Sequence, residues 1–355
     1  MSLDEVGLLE GLLKQYSPTG QETGASNFLV GQMHDLGFTA KVDAVGNAVG
    51  TLGSGSNEIL LLGHIDTVPG FIDVTRHQGN LYGRGSVDAK GPLACFLCAA
   101  VRAKIRPDWR ITVIGAVAEE GDSHGAKYIC QHYNPQMVVI GEPSGWDRIT
   151  LGYKGSVWFR YSVIQALAHT AGRSGSACEA AVDYWNTIRQ LAAEYNAPFP
   201  KVFNQLSLTL REMNSTQEGF YEAARLKIGM RLPLGISVPQ AIELVTAAAG
   251  DAGVKIEDSI PAFRAEKNTP LVRAFLASIR QSGGQPGFSL KTGTSDMNLA
   301  GPTWPQAPIL AYGPGDSNLD HTPEEHIQVT EYLSGIQVLS AALEYAMQSG
   351  SKNGD

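Results

Sequence analysis

The stretch Ile59-Leu60-Leu61-Leu62-Gly63-His64-Ile65-Asp66 places a histidine and an aspartate directly after a run of large apolar residues. A short apolar run of this kind predicts a fully buried strand of an α/β sheet. Because side chains alternate along a strand, His64 and Asp66 should point to the same face. Asp66 would then accept a hydrogen bond from one imidazole nitrogen and leave the other nitrogen for a metal ion.

Other acidic motifs follow apolar runs in the same way. Glu119-Glu120-Gly121 comes after residues 111–118, and Gly141-Glu142-Pro143 comes after residues 137–140. The C-terminal ends of parallel strands meet at one crevice of an α/β sheet. These acidic side chains are therefore expected to lie close to His64.

Two further motifs add a second histidine and another acid. They are Gly83-Arg84-Gly85-Ser86-Val87-Asp88 and Asp320-His321-Thr322-Pro323. Imidazoles combined with carboxylates are typical of sites for zinc or a similar divalent ion rather than for calcium. The sequence therefore predicts a metal centre at the strand ends.

The five motifs, in this order, resemble those of the co-catalytic zinc aminoacylase and carboxypeptidase family over roughly residues 17–326. Acetylornithine deacetylase, succinyl-diaminopimelate desuccinylase and glutamate carboxypeptidase belong to that family. The resemblance implies two divalent ions, zinc or alternatively cobalt, held by two histidines and three acids. His64 and Glu142 would hold one ion, Glu120 and His321 would hold the other, and Asp88 would bridge them.

Two more acids complete the predicted centre. By the same resemblance, Glu119 is the general base and Asp66 orients His64. Amide hydrolysis at neutral pH needs a stronger nucleophile than water, and two metal ions about 3.5 to 4 Å apart lower the pKa of a water that they share. A carboxylate that holds no metal must then take the proton from that water and pass it to the leaving nitrogen.

Each motif also has a purely structural interpretation. Asp88 could cap the helix predicted over residues 89–101, and His321 could lie in an ordinary loop before a helix. The pair Glu119-Glu120 could be solvated on the surface. A metal-binding scaffold without catalysis would be expected to lose the base first, and Glu119 is present. The complete set therefore favours an enzyme.

The predicted fold is α/β, with a zinc-peptidase-like mixed sheet, helices on both of its faces, and an inserted ferredoxin-like α+β lid and dimerisation domain. We expect a discontinuous catalytic domain of residues 1–153 and 265–355, and a lid domain of residues 154–264. The β-α-β-β-α-β order of the lid is that of the ferredoxin-like split unit. Its predicted strands and helices cover residues 157–164, 176–194, 205–210, 224–231, 238–252 and 254–258.

In the family that the chain resembles, the inserted domain pairs two subunits and carries a histidine that reaches the partner's active site. Ala168-His169-Thr170-Ala171-Gly172 matches that loop, although Ala171 replaces one of the usual small hydroxyl residues. The resemblance implies a homodimer in which His169 stabilises the oxyanion in trans. Arg231 matches a position that holds a substrate carboxylate, a task that suits a planar guanidinium. Gly293 and Thr294 match a loop that hydrogen-bonds the substrate.

The contexts of Glu142, His169 and His321 look most like the lysine and ornithine biosynthetic branch of the family. Members of that branch release lysine or ornithine from a small acidic amino-group carrier protein. The alternatives are acetylornithine deacetylase or succinyl-diaminopimelate desuccinylase, and then a general dipeptidase or carboxypeptidase. An acidic carrier would need a basic rim on this acidic enzyme. The candidates for that rim are Arg84, Lys90, Lys154, Arg160 and Arg173.

Composition limits the other functional classes. The chain has 355 residues, of which 43% are hydrophobic, and this length favours about two domains. Its formal charge of −8 and its lack of a basic stretch argue against nucleic-acid binding. The apolar runs are too short to span a bilayer. The N-terminal residues lack the features of a signal peptide, so a cytoplasmic location is expected.

Two local patterns are interpreted as structural. Cys95-Phe96-Leu97-Cys98 lies in an apolar helical run, so buried thiols are predicted rather than a metal or redox motif. The four cysteines form no convincing disulfide framework in a chain of this length. Gly50-Thr51-Leu52-Gly53-Ser54-Gly55 lacks the lysine of a phosphate-binding loop, and it is predicted to be a hairpin connection.

Overall fold

The computed structural model describes residues 3–167, 169 and 175–350. These residues divide into two compact units. Unit 1 contains the described residues up to Gly152, then Ala265–Ser289, and the described residues from Ser295 onward. Unit 2 contains the described residues of Tyr153–Arg264 together with Leu290–Thr294. The segment Leu290–Thr294 thus groups with unit 2, although the sequence prediction placed it in the catalytic domain.

The helices and strands are numbered in chain order. The helices are α1 (Glu5–Leu13), α2 (Thr23–Asp35), α3 (Lys90–Arg102), α4 (His124–His132), α5 (Ala177–Asn196), α6 (Val238–Ala247), α7 (Pro270–Gln281), α8 (Met297–Thr303) and α9 (Val329–Gly350). The strands are β1 (Thr39–Val42), β2 (Ala48–Gly53), β3 (Asn57–His64), β4 (Thr75–His77), β5 (Asn80–Tyr82), β6 (Trp109–Ala116), β7 (Met137–Gly141), β8 (Arg148–Tyr153), β9 (Gly155–Ala166), β10 (Ser207–Glu218), β11 (Tyr221–Leu232), β12 (Gly253–Ile260), β13 (Phe263–Arg264), β14 (Gly287–Lys291), β15 (Ile309–Tyr312) and β16 (His326–Gln328).

Unit 1 is built on a mixed sheet whose central strands are parallel. The order along this part of the sheet is β1-β2-β6-β3-β7-β15-β8. Strand β3 runs parallel to both β6 and β7, and β15 runs parallel to β7. Strands β1, β2 and β8 are antiparallel to their neighbours. The parallel core brings the C-terminal ends of β3, β6 and β7 to one edge, where the acidic motifs begin.

Helices cover this sheet and bury its apolar strands. Helix α3 packs against β3, β6 and β7, helix α2 packs against β1 and β2, and helix α8 packs against β15. From residue 58 onward, every residue of β3 is buried, as expected for a strand that is covered on both faces. The predicted α/β class with a mixed sheet is therefore confirmed.

Unit 2 has the β-α-β-β-α-β order that the sequence predicts. Its sheet has the order β10-β11-β9-β12, and every neighbouring pair is antiparallel. Residues such as Phe159, Ile188 and Ile228 form its core between the sheet and its helices. Helices α5 and α6 each begin with a capping box, at Ser176 and Ser237. The ferredoxin-like prediction is confirmed.

Strand β10 is longer than predicted. The prediction ended this strand at residue 210, whereas the strand continues to Glu218 and pairs with β11 as far as Tyr221. Residues 214–217 are polar and resemble a loop in sequence. They can form a strand because residues 211–218 are all exposed, so their polar side chains stay in contact with solvent while the backbone pairs with β11.

The predicted hairpin at residues 50–55 is wrong. Gly50 and Gly53 lie within β2, and β2 pairs with β6 rather than with β3. Gly50 is needed there because a Cβ atom would lie 2.6 Å from the sulfur of Met33 in α2. These glycines therefore serve close packing and a turn out of the strand, and they do not connect paired strands.

The remaining structural predictions concern cysteines and membranes. All four cysteines are free, and Cys95 and Cys98 are buried within α3. Burial raises the pKa of Cys98 to about 12, so this thiol is not a reactive nucleophile. Across the described residues, no helix has both the length and the apolar character needed to cross a bilayer.

A pair of glycines sets the spacing of β3 and β7 just before their functional residues. Gly63 and Gly141 are directly paired, and a Cβ atom on Gly141 would lie 2.9 Å from the Cα atom of Gly63 and 3.0 Å from the ring of Phe96. We expect Gly141→Ala to lower the free energy of unfolding by about 1 to 3 kcal/mol because it overpacks the core. Urea unfolding measures this change.

Gly31→Ala is the matched control for this substitution. Gly31 lies on the exposed side of α2, where an added Cβ would meet no atom within 4 Å. Alanine is favoured over glycine within a helix by up to about 1 kcal/mol, so this variant should be as stable as the wild type or more stable. Equal stabilities of the two variants would contradict the packing role of Gly141.

Candidate metal centre

His64 ends strand β3 and is held by Asp66 and Asp88. Its Nδ1 atom lies 3.0 Å from the backbone oxygen of Asp66 and 3.5 Å from the Asp66 carboxylate. Its Nε2 atom lies 3.2 Å from Oδ1 of Asp88. The imidazole is buried, so these contacts fix its orientation.

Asp88 lies between the two histidines. Its Oδ2 atom is 3.0 Å from Nε2 of His321, while its other oxygen contacts His64. Nε2 of His321 is also 2.8 Å from Oε1 of Glu120. Asp88, Glu120 and His321 offer ligand atoms that all lie within 4.8 Å of one another. One carboxylate thus contacts both imidazoles.

The register of the parallel strands determines the position of Glu142. Gly63 and Gly141 are paired in parallel strands, so His64 and Glu142 are the next residues along β3 and β7. Glu142 is 8% exposed. The site therefore concentrates carboxylates around two imidazoles, and buried charges of one sign need compensation. Two divalent cations would supply it, and the mixture of imidazole and carboxylate donors fits zinc or cobalt.

Asp66 has a second role that the sequence did not indicate. Its Oδ1 atom accepts a hydrogen bond from the backbone N–H of Glu119 at 3.0 Å. Its Oδ2 atom accepts from the N–H of Glu120 at 3.1 Å and from the Thr19 hydroxyl at 2.8 Å. Asp66 therefore positions the predicted base and a predicted ligand, as well as His64.

Asn47 holds both ends of the loop that carries these glutamates. Its Oδ1 atom accepts a hydrogen bond from the N–H of Val117 at 3.0 Å, and its Nδ2 atom donates to the oxygen of Gly125 at 3.2 Å. The sequence analysis missed Asn47, which follows Gly46 in what resembles an ordinary turn. Its complete burial is visible only in the fold.

Burial and neighbouring charges shift the pKa values of the site. Burial raises the pKa of Glu119 well above its usual value, and the opposing effect of His64 is smaller. Hydrogen bonds to Asp88 and Glu120 raise the pKa of His321 to about 10. Burial also raises the pKa of Asp296, at the start of α8, to about 7. Each shift reflects the crowding of acidic groups in a buried space.

The structural interpretations of Asp88 and His321 do not hold. The residue that caps α3 is Ala89, and α3 has no side-chain cap, so Asp88 does not cap this helix. His321 follows a short 3-10 helix at Ser317–Leu319, and α9 begins only at Val329. Its φ of 62° is uncommon for a residue other than glycine, and such strain is often found at functional sites.

The predicted substrate residues lie in unit 2. Arg231 is on β11, and its Nη1 atom donates to the hydroxyl of Thr294 at 3.0 Å. Gly293 precedes Thr294 in the segment that groups with this unit. His169 is exposed, whereas Ala168 and residues 170–172 lie outside the described residues.

Most of the candidates for a basic rim that could dock a carrier are buried or paired with carboxylates. Arg84 is only 6% exposed and is paired with a buried carboxylate, and Lys90 is completely buried. Lys154 is buried as well, and its amine donates to the oxygen of Val202 at 3.3 Å. Arg160 is neutralised by two glutamates of unit 2. Arg173 lies outside the described residues.

The chain matches a protein-family model and curated relatives over most of its length. The model of peptidase family M20/M25/M40 matches residues 60–345. A LysW-lysine hydrolase of Deinococcus radiodurans is 42% identical, over 92% of this chain and 92% of that protein. A putative LysW-lysine/LysW-ornithine hydrolase of Thermococcus kodakarensis is 39% identical, over 97% of this chain and 92% of its own length.

Solved structures share the fold at low sequence identity. The metallo-carboxypeptidase Sso-CP2 of Sulfolobus solfataricus superposes with a TM-score of 0.80 at 17% identity, covering 97% of this chain and 100% of that chain. A tripeptidase of Staphylococcus aureus gives 0.78 at 18% identity, covering 98% of this chain and 100% of its own. Because the family model covers most of the sequence and the relatives match nearly all of it, the chain belongs to peptidase family M20/M25/M40.

Proposed function

We propose that this protein is a metal-dependent amide hydrolase that releases lysine or ornithine from an Nα-linked precursor on an amino-group carrier protein. The identity of 42% with a LysW-lysine hydrolase, over nearly the full length of both chains, carries this proposal. Several further relatives with related names share 36% or more of their residues over similar lengths. The acid and histidine cluster of unit 1 supports the reaction type.

The proposed ligands form two sets that share Asp88. His64 and Glu142 would hold one ion, and Glu120 and His321 would hold the other. When bound, the two ions would make a shared water more acidic and polarise the amide carbonyl. Asp88 contacts both imidazoles, and the parallel register places Glu142 beside His64. Zinc and cobalt both suit this donor set.

Glu119 is the proposed general base. The Asp66 carboxylate accepts hydrogen bonds from the backbone N–H groups of Glu119 and Glu120. The backbone positions of these two adjacent glutamates are therefore fixed. Glu119 would take a proton from the attacking water and transfer it to the leaving nitrogen. Burial raises the pKa of the Glu119 carboxyl group, which makes its carboxylate form a stronger proton acceptor.

Arg231 is the proposed binding site for the α-carboxylate of the substrate. The hydrogen bond from Nη1 to Thr294 orients the side chain, and a planar guanidinium suits bidentate binding of a carboxylate. Gly293 and Thr294 would contribute hydrogen bonds to the same substrate. Lysine and ornithine both present this carboxylate next to the amide that is cleaved.

A homodimer formed through unit 2 is part of the proposal. Strand β10 lies at one edge of its sheet, and an exposed edge is a site for pairing with another chain. Large apolar side chains are exposed near this edge and at the turn that follows it, namely Met213, Phe220 and Tyr221. His169 would then act in the neighbouring subunit. The expected cytoplasmic location stays a prediction.

The substrate class is tested by a comparison of competing amides. Metal-loaded protein is assayed against carrier-linked lysine, carrier-linked ornithine, acetyl-lysine, acetylornithine, succinyl-diaminopimelate and unmodified dipeptides. We expect the carrier-linked amino acids to give the highest kcat/KM. Faster cleavage of succinyl-diaminopimelate or of dipeptides would replace this proposal with a desuccinylase or peptidase function. A preference for acetylornithine would indicate a deacetylase.

The role of Glu119 is tested by Glu119→Gln. This variant should retain both metal ions, because Glu119 is not a proposed ligand. Its kcat should fall roughly 10²- to 10⁴-fold because proton transfer is lost. Metal content is measured by elemental analysis, and turnover is measured with the preferred substrate. Glu120→Gln serves as the contrast, since it should lose metal as well as activity. Loss of an ion from Glu119→Gln would refute the assigned roles.

Action of His169 in trans is tested by mixing inactive subunits. His169→Ala alone should lower kcat by roughly 10²- to 10³-fold, the usual effect of removing one oxyanion donor. Hybrids of His169→Ala with Glu119→Gln subunits should regain part of the activity, because one site in each hybrid has both residues. Hybrid formation is verified by differently tagged subunits. If verified hybrids remain inactive, His169 does not act across the dimer.

The carboxylate site is tested by Arg231→Lys. Lysine retains the positive charge but cannot form the bidentate pair, so KM should rise while metal content stays unchanged. The wild type should cleave a substrate with an amidated α-carboxylate poorly. For that substrate, the KM values of the wild type and of Arg231→Lys should differ less than they do for the ordinary substrate. An unchanged KM for the ordinary substrate in Arg231→Lys would exclude Arg231 from carboxylate binding.

A further inference from the structure

A buried carboxylate outside the proposed ligand set is bonded to the loop that carries Asp88. Glu325 has no exposed surface, and its Oε1 atom accepts hydrogen bonds from three backbone N–H groups. These belong to Gly85 at 3.1 Å, Val87 at 2.9 Å and Asp88 at 3.0 Å. One of the three amides is therefore that of the proposed bridging ligand.

The other oxygen of Glu325 is fixed by Arg84. The distance from Arg84 Nη1 to Glu325 Oε2 is 2.7 Å, and both side chains are buried. Arg84 also donates from Nε to the oxygen of Gly70 at 2.9 Å. The arginine thus neutralises the carboxylate and ties it to the segment that follows the His64 motif. A buried pair of this kind holds its geometry firmly because losing either partner is costly.

The conformation of the Asp88 loop suits this contact. Gly85 has a φ of 90°, in the left-handed region that glycine adopts most easily. A Cβ atom on Gly85 would lie 2.9 Å from the methyl group of Thr67. The loop can therefore bring successive N–H groups together on one oxygen, as in backbone nests that bind anions.

Glu325 also belongs to the segment that carries His321, and it lies four residues after that histidine. The backbone oxygen of Glu325 accepts a further bond from the N–H of Gly83 at 3.4 Å. Residue 325 therefore connects the Asp88 loop to the His321 segment at both its backbone and its side chain. The distance between these two proposed ligands depends on that connection.

From this geometry we infer that Glu325 is a positioning residue, which sets the separation of Asp88 and His321 and so prepares the site for two metal ions. The inference rests on the proposed metal site. Glu325 is not one of the proposed ligands, and it acts through the backbone of Asp88. Residues that hold ligands in this way typically affect metal affinity by about 10- to 100-fold.

The test compares two double variants that differ only in the acceptor at position 325. Arg84→Met removes the buried cation from both, so that neither contains an unpaired charge. Glu325→Gln then keeps an oxygen that can accept the three N–H groups, whereas Glu325→Leu has a similar size and no acceptor. Affinity for zinc is measured by competition with a chromophoric chelator. The cobalt-loaded proteins are compared by their absorption spectra.

We expect the leucine double variant to bind zinc about 10- to 100-fold more weakly than the glutamine double variant, with an altered cobalt spectrum. The metal-free thermal transitions of both are recorded with excess chelator. Glu58→Gln is the matched control, because Glu58 is also a buried carboxylate paired with an arginine, Arg110, but lies at the opposite end of β3. This control should lose thermal stability and retain wild-type zinc affinity.

Glu325→Asp tests the inference if the leucine double variant does not fold. Aspartate keeps the charge for Arg84 but is one methylene shorter, so it cannot reach all three N–H groups. Weaker zinc binding in this variant, with a wild-type Glu58→Gln control, supports the positioning role. Zinc affinity equal to that of the wild type would overturn it. Absence of zinc binding by the wild type itself would instead refute the proposed metal site.

Discussion

The concentration of acidic side chains in a buried crevice is the constraint on which this structure depends. Asp66, Asp88, Glu119, Glu120 and Glu142 would repel one another if each were left with its charge uncompensated. Two kinds of neighbouring group compensate part of this negative charge. Imidazoles lie against Asp88, and backbone N–H groups point at Asp66. The remaining negative charge is what makes the crevice suitable for cations.

The sequence predicted the parts of the site that depend on local order. His64, Glu119 and Glu142 follow apolar runs that become parallel strands, and a parallel sheet brings their ends together whatever the loops between them. The order of strands and helices in the lid was also predictable, because the apolar residues of each segment repeat with either a strand or a helix period. Boundaries such as the end of β10 were not predictable, since the exposed part of this strand carries polar residues on both faces.

Residues that act through long-range hydrogen bonds could not be found from the sequence. Asn47 and Glu325 resemble ordinary turn and surface residues until the fold places backbone amides around them. The candidates for a basic rim were chosen by their charge alone, and the sequence did not show that most of them are buried. The amine of Lys90 donates to the backbone oxygen of Gln15 at 2.6 Å, so this lysine supports the interior and offers no charge to a partner. Charged residues are usually exposed, but a charge in the sequence does not by itself show that a particular side chain is.

The discontinuous order of unit 1 has a consequence for synthesis of the chain. The residues of the site up to Glu142 leave the ribosome before unit 2, whereas His321 and Glu325 follow unit 2 in the sequence. Until then Arg84 has no carboxylate to neutralise it and Asp88 has only one of its two imidazole neighbours. Because domains generally fold as they emerge, the inserted unit can complete its own core while the acidic crevice is still open. The metal centre is thus completed only after unit 2, and a nascent chain would have its full set of proposed ligands only once His321 has been made.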